Sequence, residues 1–427
     1  MTQFGRTFRL ICSEKTTVLV EGLLEAQGFA FEPEPFYGFA RRLTHEPFPL
    51  GESLAARFGL IYIQDRSSML PPLTLDPPRG ASVLDMCSAP GSKTSLLSRL
   101  VGRDGFVFAS ELSADRLSTL RANLRRTSSA NAVTAKAMAQ DLPFPEESWD
   151  YIQLDPPCSG WGTVDKNPKV MELWSSSKTA PLVTLQKTLL EKAAGLLRSG
   201  GEVLYSTCTT NIEENEEQVA WALDAFNLEL VPLVEPKGFV FGAPMLSGMD
   251  GVLRVSIDSA GQGFFLAKFR KTGEPSAIDG PGVQKRELPG RRLNLAKMTG
   301  GDQIDLTRLP PGEAYEFGGK VFFLHERALD GIPGTIRWQG FPLGKVAGKG
   351  EREKFKPGVQ ARVLLPEDPD DGRLDTFNVE DTSILEKLFT GQSVSFRQGK
   401  GPVGLYYRGL PLGWLSRKGS RLLWSAK

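Results

Sequence analysis

Residues 81–94 read ASVLDMCSAPGSKT: an apolar run that ends on Asp85, a loop that turns at Pro90-Gly91, and the opening of a helix. A short apolar run bounded by a turn is what a parallel strand buried on both faces requires. Working outward, KTSLLSRLVG (93–102) reads as a helix and GFVFASEL (105–112) as a second strand. A helix SADRLSTLRANLRR (113–126), a third strand NAVTAKAMA (131–139) and a fourth, WDYIQLD (149–155), follow. TAPLVTLQKTLLEKAAGLLRSGG (179–201) is predicted helical and to stop at its glycines. GEVLYSTC (201–208) and GFFLAKFRK (263–271) supply two later strands. Strand–helix alternation from 65 to 272 predicts an α/β fold, a doubly wound parallel sheet with helices on both faces.

The flanks read differently. At 1–64, TVLVEGLLEAQGF (17–29) predicts a helix and FARRL (39–43) a strand, among Pro33, Pro35, Pro47 and Pro49. After a Gly- and Pro-rich linker at 273–290, the pieces KVFFLHE, GTIRWQGFPLGKV, ARVLLP, SVSFRQ, GLYYRGLPLGWLS and SRLLWSA predict a small β-rich, barrel-like module. At 427 residues the chain has room for two or three domains.

Composition excludes several classes. No uninterrupted apolar run is long enough to span a membrane, and the opening lacks a secretory pattern, so a cytoplasmic protein is expected. Cys12, Cys87, Cys158 and Cys208 form no Cys-x-x-Cys pair, and there are two histidines, His45 and His325. Neither a disulfide framework nor a metal site is expected. Net charge is +1, so only local clusters can mark a polyanion partner. Three stand out: Lys285, Arg286, Arg291, Arg292 and Lys297; Lys345, Lys349, Arg352, Lys354 and Lys356; and Arg417, Lys418 and Arg421.

In a doubly wound sheet, ligands sit at the carboxyl ends of the strands. Five polar ends fall there: Asp85 with the loop CSAPGSKT, Glu111, Asp141, Asp155-Pro156-Pro157-Cys158 and Ser206-Thr207-Cys208. The first loop is neither a G-x-G-x-x-G nor a phosphate loop, since Met86 stands five before Gly91. Its turn into a helix can receive a carboxylate on backbone amides, and Glu111 can accept from a ribose diol, which suggests a nucleoside cofactor. Methylation at C5 of cytosine needs a thiolate to add at C6, an acid near N3 and a base for the C5 proton. Cys208 and Asp155 can supply the first two, and Cys158 can assist elimination.

These residues resemble the Sun/Nop family of RNA cytosine-5 methyltransferases, in its RsmF (YebU) branch. The matching pieces are YIQDRSSM (62–69), LDMCSAPGSKT (84–94), ASEL (109–112), AQDLPF (139–144), LDPPCSGWG (154–162), LYSTCTTNIEENE (204–216) and GQGFFLAKFRK (261–271). The resemblance implies a Rossmann-like class I methyltransferase core at 65–272 with a seven-stranded, mostly parallel sheet. It also implies a small α+β flank at 1–64 and a PUA-like RNA-binding region at 285–427. Cys208 would bond C6, Cys158 would aid product release, and Asp155 would contact the base beside the cofactor. Cys87, Ser88, Ala89, Pro90, Gly91, Ser92 and Lys93, with Glu111, Asp141 and Asp155, would hold S-adenosylmethionine. The expected partner is ribosomal RNA of the small subunit, with tRNA second, bound by a monomer without a metal. The chain departs from the family at Trp161 and in RVSIDSA (254–260), which lacks the usual histidine. Competing readings are an amino-group methyltransferase, where an aromatic residue rather than Cys158 follows Asp-Pro-Pro, and a non-catalytic RNA-binding assembly factor.

Overall fold

The computed structural model describes residues 6–164, 167–173, 178–274, 288–348, 350–397, 399 and 401–425. Most of the linker and three members of the basic clusters, Lys285, Arg286 and Lys349, lie outside them.

The central sheet is built on Ser82–Asp85 (β1), Phe106–Glu111 (β2), Ala132–Lys136 (β3), Trp149–Leu154 (β4) and Leu197–Thr207 (β5). Leu228–Val231 (β6) and Phe264–Lys271 (β7) follow. β3-β2-β1-β4-β5 pair in parallel; β7 joins β5 and β6 joins β7, both antiparallel. Among the described residues the sheet holds ten strands rather than the seven expected. Phe241–Gly242 and Leu253–Val255 add a hairpin on β7, and Trp338–Gln339 pairs with β3 from far along the chain. Two- and three-residue strands are too short for alternation to show.

Strand order reverses at β1, so the loops after β1 and β4 flank one crevice. The helix Ser92–Leu100 (α1) starts on Gly91, whose φ is 99°. A Cβ there would also lie 2.8 Å from Leu120 Cδ1, so only glycine fits. Ala114–Arg126 (α2) is capped by Ser113 and buries Leu117, Leu120 and Leu124 at helical spacing. Ala180–Leu196 (α3) does not end at the expected glycines; Leu197 already enters β5 opposite Trp149. Gly200 (φ 80°) and Gly201 sit instead in the irregular start of that strand. Glu216–Ala225 (α4) leads from the site back to β6.

The first segment forms a four-stranded sheet in the order Ala30–Pro33, Ala40–His45, Thr7–Leu10, Ile61–Ile63. Buried Arg66 ties it down, with Nη2 2.6 Å from Glu34 Oε2 and its guanidinium 4.3 Å over Phe239. The last segment forms two five-stranded sheets. ARVLLP, expected among the β-rich pieces, is a 3-10 turn at Arg362–Leu364. Its consecutive residues Val363, Leu364 and Leu365 are all buried, which a strand with one buried face cannot do. Ala328, Ile332 and Ile336 join the core under the central sheet. Leu385, Leu405 and Leu410 share a core with Phe8, Leu10 and Leu24 of the first segment.

Candidate active site

The site assembles from the ends of β1, β4 and β5. Asp85, at the end of β1, is buried; Thr94 Oγ1 donates to its Oδ2 at 2.6 Å, while Oδ1 is buried without a partner. Burial pushes this carboxyl up to about 7. Ser88 Oγ reaches the carbonyls of Asp85 (2.8 Å) and Ser110 (3.0 Å), pinning the loop to β2. The N-terminus of α1 has no side-chain cap, which leaves its first amides for an anion.

Lys93, in the first turn of α1, crosses to the next loop. Its Nζ is 2.7 Å from Asp155 Oδ2 and 5.3 Å over the Phe264 ring. Burial alone would lower the lysine pKa, but the Asp155 carboxylate outweighs it and the net direction is up. Asp155 Oδ1 accepts from Ser206 Oγ at 2.9 Å, and Ser206 Oγ lies 3.4 Å from Gln153 Nε2. The carboxylate is thus held on both oxygens.

The two cysteines meet with Sγ–Sγ 3.3 Å. The Cys158 contact lowers the Cys208 pKa below the ordinary thiol value, with help from Lys93 and against burial and Asp155. The same contact, then burial, raises that of Cys158. The two thiols titrate as one pair, and within it the contact favours the thiolate on Cys208. Burial pushes the Cys87 thiol up, which disfavours its thiolate.

Glu214 fixes the loop that carries Cys158. Fully buried, it accepts from Ser159 N (2.9 Å), Ser159 Oγ (2.5 Å), Gln186 Nε2 (3.0 Å) and Asn211 Nδ2 (3.1 Å). Gly162 N donates to the Cys208 carbonyl at 3.0 Å, and Gly263 N to the Gly162 carbonyl at 2.9 Å. A Cβ on Gly162 would sit 2.3 Å from the Gly263 oxygen, so a glycine is needed to lay this loop against both strand ends. Trp161, half-buried, opens the 3-10 turn just before it.

The structure thus brings Asp85, Lys93, Asp155, Cys158 and Cys208 together. Glu111 and Asp141 lie one and two strands further along the same edge. Glu111 Oε1 accepts from Ser113 N at 2.8 Å, and Asp141 is exposed in the turn Ala139–Asp141. Sequence reasoning placed Ser206 at a strand end without giving it a role, and missed Ser159, Glu214 and the pairing of Lys93 with Asp155; the acidic run Glu213–Glu214 was an available signal. It also missed Leu112 and Met138, apolar yet 57% and 43% exposed, beside Glu111 and Asp141. Among the described residues, no group of three or more His, Cys, Asp or Glu is placed to hold a metal. No helix among them is long and apolar enough to cross a membrane.

A sequence model described as 16S rRNA methyltransferase RsmB/F matches residues 72–270. The chain is similar to ribosomal RNA small subunit methyltransferase F of Shewanella loihica, with 31% identity over 94% of this chain and 84% of that protein. The protein of that name from Klebsiella pneumoniae gives the same identity and the same two shares. The chain belongs to this methyltransferase F family. A solved methyltransferase homologue from Pyrococcus horikoshii superposes with a TM-score of 0.52 and 34% identity, covering 63% of this chain and 87% of that one. The cofactor of the family is S-adenosylmethionine, and the crevice fits it: an uncapped helix start suits its carboxylate, and the buried orphan Oδ1 of Asp85 suits its ammonium.

Proposed function

We propose that the chain transfers a methyl group to carbon 5 of a cytosine in small-subunit ribosomal RNA, through a covalent bond between Cys208 and C6. The observation that carries this reading is the 3.3 Å thiol pair beside Asp155, with Cys208 favoured as thiolate. Bound S-adenosylmethionine supplies an electrophilic methyl group. Cys87 to Lys93 would hold its amino-acid end and Glu111 its ribose, with the adenine lying near Asp141 between the exposed Leu112 and Met138. The target base leaves its stack to enter the crevice. Cys208 Sγ adds to C6, and the ring electrons it displaces make C5 nucleophilic. Asp155, held by Lys93 and Ser206, orients the base through its N3–N4 edge. Once C5 has gained the methyl, a water takes the C5 proton, the C–H electrons re-form the C5–C6 double bond, and the Cys208–C6 bond breaks with its electrons returning to Cys208. Cys158, already in contact with Cys208, assists that elimination.

The flank 1–64 and the region 285–427, read as PUA-like, would bind RNA in the cytoplasm. One sheet supports this: Lys320, Lys345 and Lys356 stand directly opposite one another across three strands, all exposed. Like charges placed so repel, and a phosphate backbone turns that cost into attraction. The other clusters are partly neutralised within the protein, by Arg291–Glu316, Arg292–Glu313 and Arg417–Asp375.

Bisulfite sequencing of RNA from cells with and without the gene tests the substrate. Loss of one methylcytosine in small-subunit RNA is expected; loss confined to tRNA keeps the chemistry and moves the substrate. In vitro, Cys208→Ala should abolish methylation while cofactor binding stays within about 2-fold. Cys158→Ala should accumulate a denaturation-resistant protein–RNA adduct, and its absence refutes the release role.

A further inference from the structure

Away from the active site, a cavity of about 550 Å³ opens where the first segment, the central domain and the last segment meet. Six cations line it, two from each: Arg9 and Lys15, Arg99 and Arg103, Arg308 and Arg362. The single lining carboxylate, Glu367, is 83% exposed and 4.0 Å from Arg308. The guanidinium donors are spent on neutral carbonyls: Arg99 on Cys12 (2.7 Å), Arg103 on Leu309 (2.8 Å), Arg362 on Phe58 (2.9 Å) and Gly59 (3.1 Å). Carbonyls satisfy donors but cancel no charge, so the positive field in the cavity stands.

Arg9 is the sharper observation. It is fully buried, held by Gln64 Oε1 at 3.0 Å, the Ser92 carbonyl at 3.2 Å and Ser95 Oγ, and lies 5.0 Å over Tyr62. Its Nη1 is buried with no partner. So is Ser128 Oγ, on another residue of the lining. A buried charged donor without an acceptor is costly, and an anion in the adjoining basic cavity would offset that charge through space. Arg9 also touches the first turn of α1, whose far end carries Arg99. That helix spans nine residues, about 13 Å, so active site and cavity lie within reach of one nucleic-acid strand.

We propose that this cavity is a phosphate-binding site that grips the sugar–phosphate backbone of the RNA at a distance from the reacting cytosine. The identity of the polyanion rests on the proposed function; the site itself does not. The test uses the full chain, with Lys15→Glu/Arg103→Glu as a charge reversal at two exposed positions and Arg9→Met as the buried variant. Inorganic phosphate titrated calorimetrically probes the site, and a small-subunit RNA fragment and a short oligonucleotide around the target cytosine probe the source. Phosphate should bind the wild type and neither variant. The charge reversal should weaken the long fragment about 10-fold and flatten its log–log salt dependence by roughly 1.4 to 1.8, as two lost phosphate contacts require. Methylation of the short oligonucleotide should be unchanged. Phosphate binding lost with RNA affinity unaltered overturns the RNA assignment. No phosphate binding by the wild type, with RNA affinity unaltered, overturns the site. Should the oligonucleotide go unmethylated by the wild type, the catalytic reading falls while the phosphate arm still reports.

Discussion

In the proposed reaction the contact between the two sulfurs favours attack by Cys208, and the charge of Lys93 adds to that preference. Lys93 favours the Cys208 thiolate while Asp155, its partner at 2.7 Å, opposes it. Lys93→Met should therefore raise the Cys208 pKa twice over, by removing a cation and by leaving Asp155 uncompensated. The acid limb of the kcat/KM profile should move to higher pH, and activity at neutral pH should fall roughly 10-fold per unit of that move. A limb that stays in place would show that Lys93 only positions the loop. The two cysteines were legible because each sits in its own motif at the end of its own strand. Their contact and the reach of Lys93 across the crevice were not. These depend on distances between segments about 50 residues apart, which no local pattern encodes.

At the scale of elements, the five parallel strands were legible because each is an apolar run buried on both faces. The hairpin strands were not, since they gain their state from partner strands, and Trp338–Gln339, read among the β-rich pieces, was not foreseen on the central sheet. The buried acid of the Cys158 loop belongs to this scale as well. Glu214→Gln would place an amide N–H₂ against two of the four donors that its oxygens now accept from, costing about 1–3 kcal/mol and loosening the turn at Ser159. A lower denaturation midpoint is expected, with slower release of the covalent adduct than its formation. Unchanged stability would mean that the displaced donors find water instead. The helix Glu326–Gly331 offers a pH test. His325 Nδ1 accepts from Arg327 N at 3.2 Å, and the ring packs 5.1 Å from Phe106 under the sheet. Burial lowers its pKa from 6.5 to about 4. Between those values the unfolded chain binds the extra proton, so this contribution is complete above about pH 6.5 and is lost as pH falls towards 4. Denaturant titrations at pH 7 and pH 5 should differ by about 2 kcal/mol more in the wild type than in His325→Gln. Equal differences would place the titration elsewhere.

For the whole molecule, the three segments do not have three cores. The helix after His325 puts Ala328, and the loop after it Ile332 and Ile336, into the core beneath the central sheet, and Trp338–Gln339 closes the free edge of β3. The first segment has its strand Thr7–Leu10 and helix Thr17–Glu25 in one cluster with Leu385, Leu388 and Leu412, from the far end of the sequence. Arg362 adds its bonds to the carbonyls of Phe58 and Gly59. Contacts so distant in sequence leave no periodic trace, and a linker rich in Gly and Pro looks from the sequence like a place where the chain could be cut. Removing everything after residue 272 would uncover the Phe106 side of the sheet, open β3 as an unpaired edge and strip Phe8 and Leu24 of their cover. Exposed edges and large apolar patches drive association. The truncated chain is therefore expected to aggregate, or to unfold at a markedly lower temperature, before any weakening of RNA binding can be measured. Light scattering and thermal unfolding of the 1–272 fragment decide the matter. A monodisperse fragment with an unshifted midpoint would mean that these shared clusters contribute little, and that the last segment is a separable appendage.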